Sequence, residues 1–133
     1  LIHERLGLPE RAESLYREAV SIAEQMDAGI RTVAALRGLG RFLVSRGQPD
    51  EGAPLVERAV ALAEGMDATL ELAPALLARA ELRASTDRPA ALADLEHAAA
   101  SPMSADVATE AAALHGTLLA HDGHAAPNRL TSV

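Results

Sequence analysis

The stretch Leu15-Tyr16-Arg17-Glu18-Ala19-Val20-Ser21-Ile22-Ala23-Glu24-Gln25-Met26-Asp27-Ala28 returns forty residues later as Leu55-Val56-Glu57-Arg58-Ala59-Val60-Ala61-Leu62-Ala63-Glu64-Gly65-Met66-Asp67-Ala68. The pairing extends outward to Gly7 with Gly47, Pro9 with Pro49 and Ala35-Leu36 with Ala75-Leu76, giving twelve identities in a forty-residue window. Within each copy the shared apolar positions step by three and four, the spacing of one helix face. The shared Gly-x-Pro is turn and helix-start chemistry. The repeating unit therefore reads as a turn followed by an amphipathic helix, and two helical patterns per period of this size are the mark of a helical solenoid.

Composition agrees. Thirty alanines favour helix, with only Tyr16 and Phe42 as aromatics, and no run of β-branched residues alternates with period two. The chain is 133 residues long, enough for one core-forming domain. Its formal charge is −7, and all twelve basic residues are arginine. A nucleic-acid binder needs a basic patch and, for single strands, stacking aromatics, so direct nucleic-acid binding by this segment is not expected. Cysteine is absent, which removes disulfides, thiolate metal sites and thiol nucleophiles. No apolar stretch reaches the roughly 18 residues of a membrane span. Leu1 to Gly7 carries His3, Glu4 and Arg5, unlike a signal peptide, so a cytoplasmic location is expected. Arginine in place of lysine, together with the alanine content, points to a GC-rich bacterial genome.

The run Leu36-x2-Leu39-Gly40-x2-Leu43 resembles the first helix of a tetratricopeptide repeat. Gly47, Gly52, Val56 and Ala59 follow at that family's second-helix spacing, as do Gly7, Ala12, Tyr16 and Ala19 in the preceding unit. Small residues at Gly40, Ala12, Gly52, Ala19 and Ala59 would let two helices cross closely, while Tyr16, Leu36, Leu39 and Val56 fill the space between. The unit departs from the family in lacking an opening tryptophan, in placing Leu43 where tyrosine is usual, and in running forty residues rather than about 34. The longer unit is similar to those of kinesin light chains and of large bacterial transcriptional regulators related to the maltose activator. The resemblance implies an all-α fold, a right-handed superhelical solenoid of antiparallel helix hairpins.

The later units decay. Asp87 and Pro89 lie forty residues beyond Gly47 and Pro49, yet Ala75, Ala78, Leu82, Ala91, Leu95 and Ala98 fit better one residue earlier, as a slip in the Ser85 to Arg88 turn would produce. A fourth first-helix pattern runs from about Ser104 to His121, with Gly116, Leu119 and Gly123 in the places of Gly40, Leu43 and Gly47. The predicted helices are Pro9 to Met26, Ile30 to Arg46, Pro49 to Met66, Thr69 to Ser85, Pro89 to Ala100 and Ser104 to His121. Pro54 and Pro74 each fall inside one, so each must kink its helix or mark a later start. The repeat domain covers residues 1–123, about three hairpins with the first and last incomplete, and 124–133 reads as a tail or severed linker. The chain opens on Leu1 rather than methionine, so it reads as a piece of a larger protein, with Leu1 to Gly7 the stump of a truncated helix.

In this family the first helix of each hairpin lines a concave groove that grips a protein or peptide. The resemblance places Arg37, Arg41, Val44 and Ser45 in that groove, with Arg83 joining in one of the two registers. Two guanidiniums one turn apart could take a carboxylate; they could equally be surface arginines balancing acids on adjacent helices. His115, His121 and His124, with Asp122, lie close in sequence but lack helical spacing and the three or four converging ligands a metal needs, so neither a metal nor a cofactor is expected. His3 and His97 read as surface residues. Nucleotide-binding, nucleophile-elbow and zincin motifs are all absent, and Asp50-Glu51 fits a helix start, where acids offset the macrodipole. The leading expectation is a non-enzymatic protein-binding scaffold. The alternative implied by the regulator resemblance is an effector-sensing solenoid, to which Leu130-Thr131 adds a faint likeness to the start of a helix-turn-helix. A third reading is a homodimer through exposed solenoid ends.

Overall fold

The computed structural model describes residues 2–67 and 69–131, with side chains over 7–67 and 69–120. Six α-helices follow in chain order: α1 (Ile2–Gln25), α2 (Gly29–Ser45), α3 (Pro49–Glu64), α4 (Leu72–Arg83), α5 (Arg88–Ala99) and α6 (Ala105–Thr131). The described residues contain no strand, as the alanine-rich, aromatic-poor composition requires.

The helix ends follow from named residues. After α2, Gly47 takes φ +79°, the Gln48 amide donates to the Leu43 carbonyl at 2.9 Å and the Gly47 amide to Val44 at 2.9 Å. This left-handed cap satisfies the last carbonyls of the helix and reverses the chain into Pro49. Asp27 ends α1 in the same way at φ 51°, with the Ala28 amide on the Ala23 carbonyl at 3.0 Å; aspartate is one of the few side chains that tolerate this region. α5 begins where the Asp87 carboxylate accepts from the Ala90 amide at 3.2 Å, and α6 where the Ser104 hydroxyl accepts from the Val107 amide at 3.3 Å.

Three boundaries differ from expectation. The Gly7-x-Pro9 pair does not turn: α1 runs through both, and Gly7 lacks the positive φ that Gly47 uses. α4 starts at Leu72 rather than near Thr69, which puts Pro74 in the first turn, where its missing amide has no intrahelical partner to lose. Pro54 does lie inside α3. It removes the bond to the Asp50 carbonyl, but both residues are exposed and water can serve that oxygen. At the other end α6 continues to Thr131, beyond the point where apolar periodicity stops.

Each helix packs on its chain neighbours, and α4 also touches α2 and α6. α1 reaches α3 through the ion pairs of Glu24 with Arg58 at 3.1 Å and of Arg17 with Glu51 at 3.7 Å; among the described residues its backbone comes close to none of α3, α4, α5 and α6, nor that of α2 to α5 or α6. The core lies along this order as two clusters. One joins Val20 of α1, Val33, Leu36, Leu39 and Leu43 of α2, Ala59, Val60 and Ala63 of α3 and Leu76 of α4. The other joins Leu77, Ala80, Ala91, Leu95, Ala111 and Leu118, and Val107 packs against both. The largest fully buried side chains are Leu36, Leu43, Leu76, Val33, Val56 and Val60, each stabilising the fold by about 1.5–3 kcal/mol through burial.

α2 and α3 cross closely at a pair of glycines. A Cβ placed on Gly40 would meet Val56 Cγ2 at 2.7 Å and the Gly52 carbonyl at 2.9 Å; one on Gly52 would meet the Gly40 carbonyl at 2.5 Å. The crossing assigned to Gly40, Gly52 and Ala59 is thus present, with Ala59 fully buried. Its counterpart on α1 differs. Ala19 is exposed, Ala12 is half-buried, and Tyr16 turns toward α2, where it packs over Gly38 and sits 5.0 Å from the Phe42 ring. Among the described residues no helix of this chain closes on that side of α1.

Candidate functional site

α2, α4 and α6 line one side of the molecule, where they leave an open trough. One part of it, of about 380 Å3, is bounded by Arg37 and Arg41 of α2, Pro74 and Leu77 of α4, Glu71 just before α4, and Val107 and Glu110 of α6. A second depression continues from Arg41 to Val44, Ser45, Ala78, Glu81 and Leu82. The floor is apolar and the walls carry charges of both signs.

Helical spacing produces this lining. Arg37, Arg41, Val44 and Ser45 fall on one face of α2, since residues three and four apart are neighbours on a helix, while Leu36, Leu39 and Leu43 point into the core. On α4, Leu77, Ala78 and Glu81 reach the same side.

The two arginines do not form an unpaired cationic clamp. Arg41 Nε lies 3.1 Å from a Glu81 carboxylate oxygen, and its Nη2 donates to the other at 3.2 Å. Arg37 Nη1 lies 3.7 Å from Glu71 Oε1, too long for a hydrogen bond, and that nitrogen is buried with no hydrogen-bond partner. With Glu110 added, the trough holds three acids against two arginines, so its local balance is mixed and slightly acidic. Partial desolvation raises the Glu81 pKa above the usual carboxylate range; Arg41 opposes this and Glu110 adds to it. Because the folded chain holds this proton more tightly than the unfolded one, the stability contribution at Glu81 improves as the pH falls from neutrality toward the ordinary glutamate range.

Val44 and Ser45 serve the scaffold as well as the trough. Val44 backs the Gly52 crossing, and the Ser45 hydroxyl donates to the Phe42 carbonyl at 2.6 Å. Arg83 does not reach this strip. Its Nη1 sits 3.1 Å from Asp94 Oδ2 and its Nη2 3.2 Å from Glu57 Oε2, which ties α4 to α5 and α3.

Arg83 belongs to a second charged cluster that sequence reading missed. Asp94, only 5% exposed, accepts from Arg79 Nη2 at 2.8 Å as well as from Arg83, and Glu57 accepts from Arg79 Nη1 at 2.9 Å. The hydrogen bonds that it donates to Asp94 are the main reason that the Arg79 guanidinium holds its proton more firmly than an ordinary arginine. The acids and arginines satisfy one another, so the cluster is a clasp across three helices. One signal was available: in the shifted register Asp94 falls at the place of Leu55, a charge where the repeat has an apolar residue.

His115 is half-buried beside Leu95, Glu96, Ala99, Met103 and Ala112 in a cleft between α5 and α6. The side chains of His3, His121, Asp122 and His124 lie outside the described residues. Among the described residues no group of three or more histidines, aspartates or glutamates could hold a metal ion, and no helix is long and apolar enough to cross a membrane. Comparison of the chain with protein-family models, with curated proteins and with solved structures found no match.

Proposed function

We propose that this chain is a non-enzymatic helical-repeat module of tetratricopeptide type, a solenoid of antiparallel hairpins that holds a protein or peptide in the trough of α2, α4 and α6. The observation that carries this reading is the trough itself: alternate helices line it, its floor is apolar, and paired charges rim it. The forty-residue repeat and the glycine crossing of α2 and α3 support the hairpin geometry. Stacked hairpins leave an extended concave surface of this kind. The mixed rim favours a ligand that carries both an acid and a base beside apolar anchors, since a purely acidic segment would have to displace Glu71 and Glu81 from their arginines.

The test is selection of binders from a displayed peptide library, followed by titration of the best ones against the chain and against an Arg41→Glu/Glu81→Arg double variant. The swap keeps the ion pair and reverses its direction across the trough. A tenfold or greater loss of affinity at unchanged melting temperature is the expected result. Failure to select any binder, or equal affinity for the swapped chain, would remove the trough from the reading.

A further inference from the structure

An apolar surface is left open along α1. Leu8, Ala12, Leu15, Ala19 and Ile22 of α1, with Met26 just past its end, step by four and three, the spacing of a helix-packing seam. Five of the six are exposed, Leu15 by 61% and Met26 by 59%, and Ala12 is half-buried. Single exposed leucines need no explanation, but a continuous seam does.

The chain itself shows what covers such a seam. Forty residues on, α3 carries the equivalent row Gly52, Leu55, Ala59, Leu62 and Met66, and there α2 covers part of it: Gly40 lies against Gly52 and Val56, Ala59 is fully buried, Leu55 and Met66 are half-buried, and Leu62 stays exposed. α6 carries the α2 pattern a second time, Gly116 and Leu119 standing for Gly40 and Leu43. A Cβ on Gly116 would meet nothing within 4 Å, whereas on Gly40 it would strike α3. Ala112, Gly116, Leu119 and Ala120 form an uncharged exposed strip beside the apolar α5–α6 cleft. Neither this strip nor the α1 seam contains a charge that docking would strand.

We propose that a second copy of this chain covers the α1 seam with its α6, so that copies join head to tail through a junction built like the α2–α3 contact. Transferring that antiparallel register places Gly116 of one copy over Ala12 and Tyr16 of the next, the counterparts of Gly52 and Val56. The two surfaces differ, so the association is heterologous: copies add one after another, in an open chain unless the rotation per copy closes a ring. One helix face on another covers less than a standard protein interface, so the affinity is modest and the assembly grows with concentration.

Sedimentation velocity on the whole chain across a wide concentration range, with Leu15→Arg and Gly116→Arg variants, tests this. Both positions are exposed, and circular dichroism of each variant checks that it keeps its helices. The wild type should form a ladder of oligomers that lengthens with concentration, and each variant alone should stay monomeric. An equimolar mixture of the two should form a one-to-one dimer and stop, because it contains one intact junction. A wild type that stays monomeric throughout overturns the proposal, as would occur if the seam serves a different partner. So does a Gly116→Arg variant that still dimerises, which would reveal a twofold α1–α1 contact. The trough lies on other faces, so neither outcome bears on the peptide-binding reading.

Discussion

Gly40 and Gly116 occupy the same place in the repeat pattern and do opposite things in the fold. At Gly40 an added methyl would press on Val56 Cγ2 at 2.7 Å and on the Gly52 carbonyl at 2.9 Å, and the latter is backbone that cannot rotate away. Overpacking of this kind costs about 1–3 kcal/mol, against a gain of up to about 1 kcal/mol from replacing a helical glycine by alanine. Gly40→Ala should therefore lower stability in urea unfolding by about 1–2 kcal/mol. Gly116→Ala meets open space and should raise it by up to about 1 kcal/mol. A Gly40→Ala chain as stable as wild type would show that α2 and α3 do not approach this closely.

At the scale of the element, α5 depends on its first turn. Its helix is twelve residues long and its buried apolar face is mostly alanine, Ala91 and Ala98 beside Leu95, so end chemistry weighs more than in α2 or α3. Asp87 supplies the cap, its carboxylate accepting from the Ala90 amide, and Pro89 stands in the first turn, where proline costs no hydrogen bond. Asp87→Ala should destabilise the protein by about 1 kcal/mol, and Asp87→Ser should recover most of it, because a serine hydroxyl can accept the same bond. Equal midpoints for the alanine and serine variants in chemical unfolding would contradict the cap.

Among the described residues contacts pass from each helix to the next with few shortcuts, and what ties parts distant in sequence together is the two core clusters, ion pairs such as those of Arg41 with Glu81 and Arg58 with Glu24, and the Asp94 clasp. The clasp spans α3, α4 and α5 through Glu57, Arg79, Arg83 and Asp94. Removing the aspartate leaves two partly buried guanidiniums sharing one half-exposed glutamate. Breaking a buried pair from one side costs about 3–5 kcal/mol, and since Arg79 and Arg83 keep 18% and 31% exposure the lower end applies. Asp94→Ala should thus cost about 3 kcal/mol, with amide exchange accelerating first in α4 and α5 while α2 and α3 stay protected. Uniform acceleration in all six helices would mean that the array unfolds as one unit.

Local chemistry made much of this legible in advance. Gly47-x-Pro49 announced the reversal between α2 and α3, the three-and-four spacing of Leu36, Leu39 and Leu43 announced a buried face, and Gly40 and Gly52 announced a close crossing, because each of these depends on residues near in sequence. Gly7-x-Pro9 was misleading for a physical reason: glycine permits a left-handed turn without compelling one, and a proline inside a helix, as Pro9 is in α1, costs one backbone hydrogen bond without always ending the helix. The pairing of Arg37 with Glu71 and of Arg41 with Glu81 was hidden, since partners 34 and 40 residues apart meet only once α4 lies along α2. Arg83 went to Asp94 instead of the trough for the same reason.

By itself, the sequence determined that the chain is helical, where most helices begin and end, and which face of each is apolar, because propensity, capping and periodicity act within a few residues. Only the tertiary structure decided which charges neutralise one another, that the trough is mixed in sign, and that Gly52 and Ala59 are buried on α3 while their repeat counterparts Ala12 and Ala19 are not on α1. Those outcomes depend on which helix lies beside which, and a one-dimensional pattern that repeats every forty residues cannot distinguish a covered copy from an uncovered one.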